Sequence, residues 1–115
     1  YRDEVERVRA MVKGLPLKVI IHAPQLTERE IEATCRIAME AGADFIKTDT
    51  GRSPTPSTPE QVRLIRGFVG DQMKIKASGG IRNVETVMAM LKAGTDRFGM
   101  SRSAAMAVYH ALPET

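Results

Sequence analysis

Two lysines, each at the end of a short apolar run, are the residues of this 115-residue chain that are best suited to chemistry. Lys47 ends the run 44–47 and Lys76 ends the run 73–76, and a polar, glycine-containing turn follows each. If the runs are neighbouring strands, the ammonium groups repel each other and are partly desolvated, so we expect at least one lysine pKa to be lowered. Schiff-base chemistry requires an uncharged amine. The pattern indicates a catalytic pair, with surface lysines at strand ends as the alternative.

A second group of residues has the character of an anion site. Gly79 and Gly80 allow a close backbone approach to an anion, and the helix that follows presents free amide groups. Gly99 and Ser101 occupy the corresponding place after the next strand along the chain. Barrels of parallel strands frequently bind phosphate with the loops after their last two strands. The paired turns predict phosphate binding, although a Gly-Gly turn can also be only a tight connection.

Alternating strands and helices are predicted to position these residues. Strands are predicted at 17–21, 45–47, 73–76 and 97–99. Helices are predicted over 2–13, after the capping boxes that begin at Thr27 and Thr58, over 84–93 and over 103–112. Short connections between alternating elements favour an α/β fold with a parallel sheet and right-handed crossovers. The loop of residues 49–57 is the longest connection and has the place typical of an active-site loop.

Four βα units amount to half of an eight-stranded barrel, which typically needs about 250 residues. We therefore expect one domain over residues 1–115, a (βα)4 half of a TIM barrel with a preceding N-terminal helix. The segments 41–44 and 93–96 echo each other and both lead into a strand. An isolated half would leave two sheet edges and an apolar face open to water. We expect a homo-oligomer, or pairing with a missing N-terminal half-barrel.

The charge pattern argues against a nucleic-acid partner. The formal net charge is +3, and Lys and Arg alternate with Asp and Glu along the predicted helices. Such alternation is typical of solvated helix faces. Arg2, Arg7 and Arg9 are interpreted in the same way. No apolar stretch approaches the length of about 18 residues that a membrane span needs, so we expect no membrane partner and a cytoplasmic location.

The single cysteine and the two histidines indicate no metal site. Because Cys35 is the only cysteine, an internal disulfide and a thiol-based zinc site are excluded. Its place on the apolar side of a predicted helix favours a buried structural thiol. His22 ends the first predicted strand and His110 lies on the last predicted helix. Neither has acidic or histidine partners at a spacing suited to a metal. We expect a protein without metal or other cofactor.

Three segments together carry a family resemblance. They read AGADFIKTDTG at 41–51, KASGGIR at 76–82 and FGMS at 98–101. In this order and spacing they resemble successive motifs of the deoxyribose-phosphate aldolase family. The predicted strand at 17–21 and the helix start at 26–27 also fit. The resemblance covers most of the chain and is to the second half of a (β/α)8 barrel.

The resemblance implies a class I aldolase that cleaves 2-deoxy-D-ribose 5-phosphate to acetaldehyde and glyceraldehyde 3-phosphate. It implies that Lys47 forms the Schiff base, and that Lys76 lowers the pKa of Lys47 and assists proton transfer. It also implies contacts with the phosphorylated sugar from Thr48, Thr50, Gly51, Arg52, Gly79, Gly80, Gly99 and Ser101.

Several residues depart from the family pattern. The family's essential aspartate, on an earlier strand, has no counterpart in this chain. Asp49 stands where the family usually has serine, His22 where a glutamate is common, and Arg102 interrupts the serine pair after the last strand. Two alternatives therefore stay open: a phosphate-binding half-barrel or fragment without catalysis, and a barrel isomerase or sugar-phosphate synthase in which the lysines are incidental.

Overall fold

Four parallel strands form one sheet in the order β1-β2-β3-β4 in the computed structural model, which describes residues 1–113. The strands are β1 (Lys18–Ile20), β2 (Phe45–Lys47), β3 (Lys74–Ser78) and β4 (Arg97–Gly99). The helices are α1 (Arg2–Met11), α2 (Glu28–Glu40), α3 (Pro59–Val69), α4 (Val84–Ala93) and α5 (Arg102–Ala111), with a 3-10 turn at Ala23–Gln25. The prediction of an α/β half-barrel of four βα units after an N-terminal helix is confirmed.

The helices begin where local hydrogen-bond chemistry predicts. Thr27 and Thr58 each accept a hydrogen bond from a backbone amide in the first helical turn, and the side chains of Glu30 and Gln61 bind back to the amides of the two threonines. Both capping boxes are therefore present. Asn83 caps α4 through its side chain in the same way. These caps define the residue at which each loop ends and the next helix begins.

The sheet has one face against the helices and one face away from them. Because side chains alternate along a strand, Val19, Ile46, Ile75 and Ala77 lie on the outer face, within the buried core. That core includes residues of all five helices, and α1 and α5 contribute one residue each, Val5 and Val108. The inner face, defined by the alternate positions of β1 to β4, carries the lysines of interest and forms the concave side of the half-barrel.

Element boundaries differ from the sequence prediction at several positions, and β1 is one residue shorter at each end than predicted. β3 continues through Ala77 and Ser78, because these residues pair with Phe98 and Gly99 of β4 and are not part of the turn. Helix α1 ends at Met11, two residues before the predicted end at Lys13. Helix α5 begins at Arg102, one residue earlier than predicted, because Ser101 accepts a hydrogen bond from the amide of Ala104.

Arg9 does not lie on a solvated helix face as predicted. Its guanidinium donates to the carbonyls of Val12 and Leu15, each at 2.7 Å, and to the carboxylate of Asp44 at 2.9 Å. Asp44 also accepts from the amide of Leu17 at 2.7 Å. Arg9 thereby ties the end of α1 and the loop before β1 to the turn before β2. Its planar fork of donors suits this role, which lysine could not fill.

Arg66 forms the same structure in the second half of the chain. It donates to the carbonyls of Gly70 and Gly94 and to the carboxylate of Asp96, at 2.6–2.7 Å. Asp96 accepts from the amide of Ile75 at 2.9 Å. We call the two arrangements arginine clamps. They give a structural basis to the sequence echo between 41–44 and 93–96.

Candidate active site

The strand register brings the two predicted lysines together. Lys47 on β2 and Lys76 on β3 are direct partners in the parallel pairing, so their side chains share the inner face. Adjacent strands lie about 4.8 Å apart. Both lysines are partly buried, near the carboxyl ends of their strands. In barrels of parallel strands this end carries the chemistry.

The environment of Lys76 disfavours its charged form. Partial burial lowers the pKa of Lys76 below the ordinary value of a lysine. The nearby cations Lys47, Lys18 and Arg97 lower this pKa further. The sequence predicted that at least one of the two lysines has a lowered pKa, and Lys76 has one. A lysine with a lowered pKa is a better proton acceptor near neutral pH than an isolated one.

A cleft of about 460 Å3 opens at the same end of the sheet. Its lining comes from the loops and strand ends after β2, β3 and β4, namely Lys47, Thr50, Gly51, Ser78, Gly79, Gly80, Ile81, Arg82, Gly99, Met100 and Ser101. Gly79 and Gly80 have φ values of 105° and 72°, which side chains rarely adopt. Neither residue has a side chain of its own, but Asp49, Ser57 and Pro56 lie close to where a Cβ atom would be.

Gly99, which lines the cleft, lies close to the Lys76 side chain. A Cβ atom at position 99 would lie 3.2 Å from Cε of Lys76 and 3.2 Å from Cβ of Ser78. Such contacts are tighter than ordinary van der Waals distances, so a side chain at position 99 would displace Lys76. Lys76 does not line the cleft itself, but its Cε atom lies close to Gly99, which does.

Two of the predicted site residues lie elsewhere. Thr48 is fully buried, and its hydroxyl donates to the carbonyl of Ser78 at 2.8 Å and accepts from the amide of Ser78 at 3.0 Å. Ser57 of the following loop lies 2.9 Å from the same hydroxyl. Thr48 therefore joins the ends of β2 and β3 instead of facing the cleft. Arg52 is exposed and does not line the cleft.

A buried carboxylate beside the cleft was not predicted from the sequence. Asp49 is fully buried, and its oxygens lie 2.7 Å from Oγ of Ser53 and 3.1 Å from Nδ1 of His22. Burial would raise the pKa of the Asp49 carboxyl, but these hydrogen bonds and those from the amides of Thr50 and Gly51 outweigh it, so the pKa is lowered. The signal was available, since both His22 and Asp49 follow the ends of neighbouring strands.

His22 owes its position to an unusual backbone conformation. Its φ of 56° and ψ of 47° are left-handed, and within residues 1–113 no other residue except glycine has a positive φ. The next residue, Ala23, donates its amide to the carbonyl of Thr48 at 2.8 Å. The bend and this bond hold the imidazole against Asp49, although nearly half of the side chain is exposed.

A larger cleft of about 790 Å3 lies at the opposite ends of the strands, between α1 and the loops before β2 and β3. Its charged groups include Arg9 and Asp44, which already bind each other in the first arginine clamp. We therefore place the chemistry in the smaller cleft. Over residues 1–113, no three His, Cys, Asp or Glu side chains lie close enough to hold a metal ion. Among the same residues, no helix combines the length and apolar character needed to cross a membrane.

Two relatives of known name are similar to this chain in sequence. The chain is 45% identical over 110 residues to the deoxyribose-phosphate aldolase of Aquifex aeolicus, covering 93% of this chain and 50% of that protein. It is 50% identical over 99 residues to the deoxyribose-phosphate aldolase of Thermococcus gammatolerans, covering 86% and 44% respectively. No family model matches the chain.

A solved structure agrees with these sequence relatives. The chain superimposes on the tetrameric deoxyribose phosphate aldolase of Aeropyrum pernix with a TM-score of 0.86 and 30% identity, over 96% of this chain and 47% of that one. The chain thus spans about half the length of the relatives that it matches. By sequence and by fold, it belongs to the deoxyribose-phosphate aldolase family, whose C-terminal half it fits.

Proposed function

We propose that this chain supplies the amine and the phosphate site of a class I aldolase that cleaves 2-deoxy-D-ribose 5-phosphate. The observation that carries the proposal is the direct pairing of Lys47 with Lys76 on the inner face, beside a cleft at the carboxyl ends of the strands. Lys47 lines this cleft, and Lys76 is the lysine with the lowered pKa. These positions suit a nucleophile and a proton acceptor respectively.

In the proposed reaction, the Lys47 nitrogen attacks the aldehyde carbon of the open-chain sugar, and loss of water leaves an iminium. Removal of the proton from the C3 hydroxyl, with Lys76 taking part in the proton transfer, breaks the C2–C3 bond. The electron pair of that bond passes into the iminium, which becomes an enamine, and glyceraldehyde 3-phosphate leaves. Protonation of the enamine and addition of water release acetaldehyde and restore the lysine.

The glycine-rich end of the cleft supports binding of the substrate phosphate. Gly79 and Gly80 line this end without side chains of their own, and Arg82 contributes a cation to the lining. Ser101 caps α5, whose N-terminus carries the positive end of the helix dipole. Arg102, at the first position of α5, is not among the residues that line the cleft.

The catalytic unit in this proposal is a completed barrel. The chain spans about half the length of its aldolase relatives, and the family's essential aspartate is not on it. We propose that residues 1–115 act as one half-barrel domain, which binds the phosphorylated sugar only together with the missing half. The cytoplasmic location stays a prediction, and we propose a role in deoxyribonucleotide breakdown, which the reaction above would serve.

A phosphate-binding half without catalysis is the second candidate. The same half-length match to the relatives favours it, because the chain alone offers the phosphate site but not the family's aspartate. This candidate predicts that phosphate raises the melting temperature of the isolated chain while no aldehyde is released from the sugar. A measurable turnover by the completed barrel would contradict it.

Reductive trapping tests the aldolase proposal. This chain would be joined to the part of the Aquifex aeolicus aldolase that it does not match, and the resulting completed barrel treated with acetaldehyde and sodium borohydride. We expect an N-ethyl group on Lys47, found by peptide mass mapping. The adduct should vanish in Lys47→Arg and persist in Lys92→Arg, a control on the exposed side of α4. An adduct at other lysines alone, or none, would overturn the proposal.

A further inference from the structure

The turn after β1 is hydrogen-bonded to the loop that follows β2. Nδ1 of His22 lies 3.1 Å from Oδ1 of Asp49, and Nε2 of Gln25 donates to Oγ of Ser53 at 3.3 Å. Oγ of Ser53 in turn donates to the same Oδ1 atom at 2.7 Å. The side chains of His22, Gln25, Asp49 and Ser53 therefore form one continuous hydrogen-bonded group, which we call the loop anchor.

The carboxylate at the centre of the loop anchor fixes the start of the loop. Asp49 is fully buried, and its Oδ2 atom accepts from the amide of Gly51 at 3.3 Å. Burial would raise the pKa of the Asp49 carboxyl, but its hydrogen bonds lower it, so Asp49 is a charged acceptor at neutral pH. Thr50 and Gly51 follow directly and line the cleft of the candidate active site. Asp49 therefore sets the place of two residues in the wall of the cleft.

The rest of this loop has little other support. Residues 50–52 and 54–56 are exposed. The far end is bonded to β3 through Ser57, whose Oγ donates to the carbonyl of Ser78 at 2.6 Å. In the described part of the chain, Gln25 is the only residue outside the loop that hydrogen-bonds to residues 50–56. The wall of the cleft thus depends on the loop anchor for its position.

The backbone of His22 is bent in a way that brings its imidazole to Asp49. Its left-handed conformation costs energy for every residue except glycine, and it is best tolerated among the others by Asn, Asp and His. Strained backbone of this kind clusters at functional sites. The amides of the two adjoining residues, 21 and 23, donate to the carbonyls of Lys47 and Thr48. The bend therefore lies directly beside the lysine that we propose as the nucleophile.

We infer that His22 is a positioning residue, which holds the carboxylate of Asp49 and thereby keeps the wall formed by Thr50 and Gly51 in place for a phosphorylated ligand. His22 does not line the cleft, so it acts through Asp49. Gly51 lies near Gly80 and Arg82, because all three line both the cleft and a smaller cavity of about 220 Å3. The inference rests on the phosphate site of the proposed function and requires no step at Lys47.

Binding of inorganic phosphate tests the inference without turnover. The completed barrel of the trapping experiment would be titrated with inorganic phosphate by calorimetry. We expect His22→Asp to raise the Kd by about three- to tenfold, because a carboxylate replaces the donor that faces Asp49. His22→Asn has the same shape as His22→Asp but offers an amide donor at the place of Nδ1, so its Kd should stay within about twofold of the parent value. The control, His110→Asp, makes the same exchange at an exposed position of α5 and should bind normally.

A second ligand distinguishes positioning from loss of the fold. Acetaldehyde has no phosphate, so His22→Asp should form the Lys47 adduct as fully as the parent barrel. Ser53→Ala removes another donor to Asp49 and should weaken phosphate binding in the same direction, which decides the matter if His22→Asp does not fold.

Three outcomes would overturn the inference: no phosphate binding by the parent barrel, parental affinity in both His22→Asp and Ser53→Ala, or a loss in His22→Asn as large as that in His22→Asp. A parent barrel whose phosphate binding depends on His22 but which forms no adduct would support the inference and contradict the aldolase proposal alone.

Discussion

Lys47 and Lys76 occupy directly opposed positions on two adjacent parallel strands, and both side chains lie on the inner face of the sheet. Like charges opposed in this way are destabilising. A fold optimised only for stability would place an apolar side chain at one of the two positions. The pair is therefore better explained by chemistry than by packing.

Replacement of Lys76 by methionine should stabilise the isolated chain at neutral pH. The change removes a partly buried charge beside other cations and keeps the apolar stem. We expect the free energy of unfolding to rise by about 0.2–1 kcal/mol, the scale of one cross-strand pair. Urea denaturation followed by circular dichroism measures this value. Lys92→Met, at an exposed position of α4, is the control and should have little effect.

The same variant has a defined pH dependence. The pKa of Lys76 is lowered in the folded chain, so the unfolded chain holds this proton more tightly. Wild-type stability should therefore rise relative to Lys76→Met as the pH increases from the lowered value towards the ordinary value of 10.5. A stability difference that stays constant over this range would contradict the assigned pKa shift.

Replacement of Asp49 by asparagine should destabilise the chain. The carboxylate accepts hydrogen bonds from the loop, and an asparagine amide would turn a donor towards one of those donors. We expect a loss of about 1–3 kcal/mol near neutral pH. Because the folded pKa of Asp49 is lowered, its contribution is present above the ordinary value of 3.8 and is lost as the pH falls towards the lowered value.

Acid and urea titrations of Asp49→Asn and of the parent chain would measure this effect. Asp71→Asn serves as a control, because Asp71 is exposed. The two curves for Asp49→Asn and the parent should converge at low pH. Equal stability of the two proteins at pH 7 would show that the buried hydrogen bonds of Asp49 do not contribute as described.

Alanine at Gly79 should cost more stability than alanine at Gly51 or Gly67. A Cβ at Gly79 would lie 2.9 Å from Oδ2 of Asp49, and the backbone φ of 105° is unsuited to a side chain. We expect a loss above the range of about 1–3 kcal/mol typical of backbone strain alone.

Alanine variants of two further glycines distinguish backbone strain from the contact with Asp49 as causes of that loss. Gly51 has a φ of 88° but open space around it, so Gly51→Ala should show the strain alone. Gly67, in α3, has neither feature, and Gly67→Ala should stabilise the helix by about 0.5–1 kcal/mol. Thermal melts of the three variants measure this order. A Gly79→Ala protein as stable as Gly51→Ala would rule out the contact with Asp49.

The arginine clamps should show measurable coupling between their members. In a double-mutant cycle of Arg66→Ala and Asp96→Ala, we expect a coupling energy of about 1 kcal/mol or more, because the pair is partly buried and joined at 2.6 Å. The exposed pair of Arg63 and Glu60, at 3.5 Å, is the control and should give about 0.2–0.5 kcal/mol. Similar values for both pairs would contradict a structural role for the clamp.

The parts of the fold that depend on neighbours along the chain could be predicted from the sequence. Thr27 and Thr58 reveal their helix starts because a capping box is complete within four residues. The end of β3 could not be predicted in this way, because Ala77 and Ser78 become strand residues only through pairing with β4. Likewise, a charge pattern does not show that Arg9 binds Asp44, which is distant along the chain.

The sequence likewise predicted some features of the candidate site and missed others. Lys47 and the glycine turns were predictable, since strand ends in a parallel sheet meet at one edge. The place of Thr48 was not, because whether a side chain faces the cleft or the adjoining strand depends on the exact pleat at the strand end. The bond between His22 and Asp49 depends on a left-handed backbone at His22, which residue types alone do not specify.

Each arginine clamp is closed within its own part of the chain. Arg9 reaches no residue beyond Asp44, and Arg66 reaches only from Gly70 to Asp96. The chain therefore contains two successive αβαβ quarters, α1 to β2 and α3 to β4, each with its own clamp. Such a layout is what tandem duplication of one quarter would leave behind. It also marks the stretch between Asp49 and Ser57 as the natural joint at which quarters from related barrels could be exchanged.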